Sequence, residues 1–385
     1  MPHDESVLEA VRDAVRGVTA RWDRQYYLGK ARANQAPTEM YEAMAKAGLF
    51  ALGVPEELGG SGGGVAAVAT VMEEMSREGV PPMLFSLTAF CRSAIMRYGS
   101  PEQIGRYVVP TLTAERTFAF AFTEPESGTN SFNMRAFARL DGDGNYVLNG
   151  EKVFISGADA ASALLVAART TRYDEVSRKS DGLSLLVVEA GTPGVSMTPM
   201  NIDWCAPERQ FTVRFDHVVI RPDALIGRVG EGAGAMFEAL NAERVVIAAW
   251  TLGLGYLALE RAVGYAKTRA PWGKPIGGYQ AVAHPLARAR AMLDGARVMT
   301  YLAAEKVDAQ EPSAAHANVA KLLASEAADL AIDAALQTFG GSAFDTDSDV
   351  VTLWPMIRIL RIAPLNNEMI LNYIAEHMLG LPRSY

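Results

Sequence analysis

The sequence predicts an α+β chain in three parts: an N-terminal α-helical domain (residues 1–116), a central β-barrel or sandwich domain (117–222) and a C-terminal four-helix bundle (223–385). Three observations carry this reading. Apolar residues keep a helical period through the first third, alternate like strands from Thr117, and return to the helical period at Glu231. Turn residues break the central apolar runs at short intervals. No strand–helix–strand alternation occurs, which argues against a doubly wound nucleotide-binding sheet.

Residues 4–53 read as helices. Val7, Leu8, Val11 and Val15 keep helical spacing, and Pro37 opens a segment over Thr38–Ala47 that Gly48 closes. The glycine-rich run 53–64 lacks a phosphate-loop lysine and follows no strand, so it reads as a loop. Further helices are expected over Val65–Arg77, Leu84–Tyr98 and Pro101–Val109. Strands are expected at Phe118–Phe122, Asn133–Leu140, Tyr146–Leu148, Lys152–Ser156, Leu164–Ala168, Leu183–Glu189 and Phe211–Phe215, with a hairpin at Asp141–Gly144. Four long helices follow, over 231–269, 279–309, 313–338 and about 364–379. Short connections between them suggest antiparallel neighbours.

Bulk composition excludes several classes. The 385 residues are 49% hydrophobic and 21% charged, as in an ordinary globular protein. A net charge of −8 without a basic cluster argues against nucleic-acid binding. The two cysteines, Cys91 and Cys205, and five scattered histidines form no zinc or disulfide pattern. No metal site, signal peptide or membrane span is expected, and the simplest location is the cytoplasm.

The central helix carries the most informative residue. In Leu240–Trp250, Glu243 shares a face with Ala239, Leu240, Val246, Ile247 and Trp250. Arg244 points about 100° away. A carboxylate buried there without a partner gains a raised pKa and suits the role of a base near neutral pH. The competing reading is a glutamate at the stripe's edge, or one bonded to a distant arginine.

Four stretches resemble one family in order. Thr123-Glu124-Pro125 with Ser127-Gly128-Thr129 resembles a TEPxxGS/T motif, and Tyr146–Ser156 resembles YxLNGxKxWIT/S. Arg269 with Trp272-Gly273-Lys274-Pro275-Ile276 and Gln280 resembles RxxFGKPI…Q, and Gln337–Gly341 resembles QxxGG. The chain is thereby similar to the acyl-CoA dehydrogenase flavoproteins over nearly its whole length.

That resemblance implies FAD, an acyl-CoA substrate and α,β-dehydrogenation. It places Phe122, Thr123, Phe154 and Ser156 around the flavin ring, Phe154 standing where tryptophan is usual. Thr129 matches a position at the cofactor whose hydroxyl lies near the thioester, and Arg244 a substrate-facing position. Arg269 matches a residue that pairs with the FAD pyrophosphate, a role its planar fork suits. Trp272, Gln280, Gln337, Gly340 and Gly341 match further cofactor positions, and those on the ADP half serve a flavin held mainly by a neighbouring subunit. A homo-oligomer, dimer or tetramer, is therefore expected, with an electron-transfer flavoprotein as acceptor.

Many members carry the base in a C-terminal YEGT-like motif. Aligned through Ile362 and Glu368, that position here is Pro364, which takes no proton. A minority branch, resembling isovaleryl- and long-chain-type members, places the base on the central helix in an xERxxxA motif. Glu243-Arg244-Val245-Val246-Ile247-Ala248 matches it. Pro364 also lacks the N–H that the family usually offers the thioester oxygen. Glu368 is the fallback base. Other flavin chemistry on the same fold (oxidase, monooxygenase, carrier-bound acyl dehydrogenase) and a non-catalytic flavin- or acyl-CoA-binding protein are the alternatives.

Overall fold

The computed structural model describes residues 5–383, the side chains of 235, 237 and 238 excepted. The chain opens with α1 (Glu5–Thr19), which buries Leu8, Val11, Val15 and Val18. Val7, at the rim of that stripe, is exposed. An Asp23 cap, accepting the Tyr26 N–H, starts α2 (Arg24–Arg32). Next come α3 (Thr38–Lys46), α4 (Gly64–Arg77) and α5 (Met83–Tyr98), the last two largely buried. A Ser100/Gln103 capping box opens α6 (Pro101–Tyr107). The glycine-rich run before α4 is a loop bonded to itself, with Gly53 N–H donating to Gly62 O and Gly62 N–H to Val54 O.

The strands are β1 (Phe118–Ala121), β2 (Phe137–Leu140), β3 (Tyr146–Ser156), β4 (Ala163–Arg169), β5 (Leu183–Glu189), β6 (Val195–Pro199), β7 (Gln210–Ile220) and β8 (Leu225–Ile226). They form one eight-stranded sheet in the order β6-β7-β3-β2-β4-β5-β8, with β1 parallel to β4. Among the described residues the two ends of this path do not pair, so the expected barrel or sandwich is an open sheet. Alternation reports which face of a strand is buried; closure depends on tilt and stagger between distant strands, which alternation does not encode.

Two expected strands, Tyr146–Leu148 and Lys152–Ser156, are one strand, β3, with register shifts between Leu148 and Gly150 and between Lys152 and Ile155. The second shift carries Phe154 at φ +58°, aimed outward and 56% exposed. An irregularity of this kind re-aims a side chain. The expected strand 133–140 starts only at Phe137. The Glu124 carboxylate accepts the N–H groups of Arg135 (2.5 Å) and Ala136 (2.9 Å) and holds that stretch off the ladder. The short β6, whose Val195 and Met197 pack on the core while Ser196 and Thr198 are exposed, was not expected from the sequence.

Three long helices follow: α7 (Gly232–Thr268), α8 (Gln280–Asp308) and α9 (Ala314–Phe339). A short helix not expected from the sequence, α10 (Leu353–Ile359), precedes the expected fourth, about 364–379, which is α11 (Asn367–Tyr373) continued by a π turn over Ile374–Met378. Pro364 and the Asn366 cap, which accepts the Met369 N–H, set where α11 begins. The N-terminal α4 packs on α7 and α8 in the room left beside them. By length and composition α7 is apolar enough to cross a membrane, but 94% of its most apolar window is buried within the fold.

At Gly253 of α7 a Cβ would lie 2.2 Å from the Glu73 carbonyl of α4, so the two backbones meet there. Gly253→Ala should therefore destabilise the protein by about 1–3 kcal/mol through overpacking. A thermal melt of the flavin-loaded variant checks this.

Candidate active site

Glu243 sits on the inner part of α7 and is 8% exposed. Its helical neighbours Ala239, Val246, Ile247 and Trp250 are buried, as the period predicts, and Leu240 is half-buried. From α5, the Cys91 thiol feels the Glu243 charge. The Oε2 atom of Glu243 is buried without a hydrogen-bond partner. Desolvation raises its pKa from 4.5 to about 7, and the charge of Arg244 offsets only part of that shift. Arg244 is itself buried; its Nη1 donates to Asn241 Oδ1 at 2.8 Å, and its Nε has no partner. Burial lowers its pKa.

Aromatic rings lie in the same apolar cluster as Ala239 and Leu240. Phe90 of α5 meets Phe120 of β1 edge-on at 4.7 Å, and Phe120 stacks on Phe122 at 5.5 Å. The chain then turns into the loop 123–135, whose position a buried ion pair fixes. Lys152 Nζ donates to Glu124 Oε1 and to the Phe122 carbonyl, both at 2.8 Å. Lys152 is 0% and Glu124 5% exposed. Burial pulls the Lys152 pKa down to about 8, although Glu124 opposes the shift. The Val153 N–H donates to Thr123 O at 2.9 Å and ties the loop to β3.

Phe122 and Thr123 follow the end of β1, and the Val153 bond ties them to β3 one residue before Phe154 and three before Ser156. Ser156 and Gln210 bond through their side chains at 2.9 Å. Thr129 lies on the exposed part of the loop, where its Oγ1 accepts from Asn366 Nδ2 at 3.1 Å. That contact joins the β loop to the C-terminal segment containing Pro364. Glu368 is exposed on α11, outside the apolar cluster.

The other expected cofactor residues form a separate group. Tyr265 stacks on Phe339 at 4.4 Å and brings the C-terminal ends of α7 and α9 together. Arg269, Trp272, Gln280, Gln337, Gly340 and Gly341 are all exposed around that end. A Cβ added at Gly340 or Gly341 would meet nothing within 4 Å. Glu243 and Arg269 lie about 39 Å apart along the helix, at about 1.5 Å per residue.

Sequence reading passed over Lys152, Glu124, Gln210 and Asn366 as functional groups. Only Lys152 carried a signal: it falls in phase with Tyr146 and Leu148 on the inward face of its strand, and an inward lysine requires an acid.

Comparison with known proteins identifies the family. The N-terminal, middle and C-terminal domains of acyl-CoA dehydrogenase match residues 2–115, 119–218 and 230–379 in that order. Acyl-CoA dehydrogenase FadE12 of Mycobacterium tuberculosis is 39% identical over 98% of this chain and 97% of its own. The chain belongs to the acyl-CoA dehydrogenase family. The structure of butyryl-CoA dehydrogenase from Megasphaera elsdenii superposes with a TM-score of 0.92 at 26% identity, covering 97% of this chain and 98% of that one. PigA, in a complex with FAD and proline, gives 0.90 at 27% identity and covers 98% of each chain.

Membership in the acyl-CoA dehydrogenase family makes the protein a flavin-dependent oxidoreductase acting on acyl-CoA thioesters. The site fits a flavin. An exposed Phe154 held outward by an irregular strand, and an aromatic stack ending at Phe122, offer flat apolar surfaces beside the hydroxyls of Thr123 and Ser156. The open backbone at Gly340 and Gly341 leaves space for close approach by another group.

Proposed function

We propose that Glu243 is the base that removes the α-proton of an acyl-CoA thioester, with FAD as the flavin. The observation that carries this is a buried, unpartnered carboxylate oxygen with a pKa near 7, one helical turn from Ala239 and Leu240, which pack in the apolar cluster with Phe120 and Phe122. When bound, FAD supplies the acceptor for the β-hydride. Phe122, Thr123, Phe154 and Ser156 would hold its ring. The apolar wall of α5, β1 and α7 excludes water from the carboxylate and keeps it basic. Arg244 faces the substrate side and tempers the basicity of Glu243. Pro364 offers no N–H, so the donors for the thioester oxygen come from other groups.

The wide separation of the two cofactor groups supports a flavin shared between two copies. One copy supplies the ring pocket, and the Arg269 end of another supplies the ADP half. Apolar side chains exposed at the C-terminal end, Trp272 (75%), Phe344 (69%) and Leu379 (67%), are consistent with such an assembly. Arg269→Gln should weaken FAD retention by about tenfold or more through loss of charged hydrogen bonds to phosphate. It should leave the flavin reduction rate of the fully loaded enzyme little changed; flavin content after dialysis and rapid-mixing absorbance separate the two. An electron-transfer flavoprotein is the proposed acceptor, on the family's precedent.

The deciding experiment is an anaerobic titration of the flavin-loaded protein with saturated acyl-CoA thioesters of graded length. Bleaching of the oxidised flavin band supports the assignment and ranks the substrates. A band that no thioester bleaches would overturn it. Pro364 is the feature favouring the second reading, other flavin chemistry or binding without turnover; oxygen uptake during turnover would identify the oxidase or monooxygenase form.

A further inference from the structure

Lys321, on α9, is 1% exposed, and the carboxylate charge of Glu368 acts on it. Its Nζ donates to three acceptors in one short segment: Arg361 O (3.2 Å), Leu365 O (2.7 Å) and Asn367 Oδ1 (2.8 Å). Two of these are backbone carbonyls of the turn around Pro364, one three residues before it and one directly after it. Ser325, one turn further along α9, donates to the same Asn367 Oδ1 at 3.1 Å. One turn beyond that, Asp329 accepts from Arg361 Nη1 at 2.7 Å. Spacing of four puts Lys321, Ser325 and Asp329 on one face of the helix. The Asn367 N–H donates to Arg361 O at 3.1 Å, so residues 361–367 close on themselves around the ammonium. From the outer side of this turn, Asn366 reaches Thr129.

A proline at 364 cannot donate a backbone bond, and the Arg361 and Leu365 carbonyls of the same turn point to Lys321. A buried carbonyl without a donor is costly; Lys321 serves Leu365 O and shares Arg361 O with the Asn367 N–H. The frame is rigid: α9 packs on α7 where a Cβ at Gly255 would lie 3.0 Å from the Ala328 side chain. The turn is thereby indexed to the helix that carries Glu243. Burial depresses the Lys321 pKa to about 7; Arg244 and Arg361 add to the shift and Glu368 opposes it. The three acceptors favour the ammonium form against that cost.

We propose that Lys321 is a positioning residue: through three hydrogen bonds it fixes the 361–367 turn, and through Asn366 the Thr129 loop, at the placement the Glu243 site requires. This rests on the reading of Glu243 as the base. Misplacement of a reacting group by about 1 Å can cost on the order of 10²-fold in rate. In flavin-loaded, full-length Lys321→Met, thioester-driven flavin reduction should fall by about that factor, with flavin content retained. Hydrogen exchange over 361–373 should accelerate, and Lys321→Arg should restore part of both. Asn366→Ala, which leaves the buried cluster intact, should slow reduction in the same direction and serves where Lys321→Met does not fold. Wild-type reduction rates and unchanged exchange in these variants would overturn the proposal. If no thioester bleaches the wild-type flavin, the base assignment fails, and exchange over 361–373 still decides whether Lys321 holds the turn.

Discussion

Glu243→Gln yields a flavin-loaded protein whose flavin is no longer reduced by acyl-CoA. The change keeps size and polarity and removes only the proton acceptor. Loss of a positioned general base costs about 10²–10⁴-fold, so the reduction half-reaction should slow by that range while the oxidised spectrum stays normal. In the wild type the reduction rate should rise with pH and level off above about 7, because only the carboxylate accepts the proton. The variant should lose that limb. Stability moves the other way. The folded pKa, about 7, exceeds the ordinary 4.5, so the folded state binds more protons between those values, and Glu243 subtracts stability as pH rises through the window. Glu243→Gln should accordingly melt higher than wild type at pH 8, and the gap should close toward pH 4. Reduction at the wild-type rate would remove Glu243 from the mechanism.

Lys152→Met should strongly destabilise the β domain. It leaves Glu124 charged, 5% exposed and without its cation, and strips a donor from the Phe122 carbonyl. Breaking a buried pair from one side costs about 3–5 kcal/mol. The cost falls on the loop that carries Thr123 and Thr129, so flavin should be lost before the fold is. A melting curve monitored in parallel by flavin fluorescence and by far-UV circular dichroism would show flavin release at the lower temperature. Coincident transitions at the wild-type temperature would show that the pair contributes little. The double change Lys152→Met with Glu124→Gln should recover part of the stability, because the stranded charge is gone.

Much of this site is legible in one dimension. Glu243 stands out because a single acid interrupts an apolar helical stripe, and the burial of Val246, Ile247 and Trp250 follows from that period. Lys152 was legible too, through its phase with Leu148, but phase does not name a partner: its acid lies 28 residues away, across the loop the pair itself shapes. Asn366 had no signal at all. Its side chain caps α11 on one side and meets Thr129, 237 residues earlier, on the other.

The order of helical, strand and helical segments, the acid in the central helix and the absence of a proton acceptor at Pro364 were determined by local period and residue chemistry alone. Whether the sheet closes, where the fourth C-terminal helix starts, and which groups hold the 123–135 loop and the 361–367 turn were decided by the tertiary structure. The reason is physical. Period and propensity act within a few residues, so they set which face of an element turns inward. Partners for buried charges and carbonyls come from whatever the packed chain brings within hydrogen-bond reach, and Lys321 finds three of them only because α9 lies against the turn around Pro364.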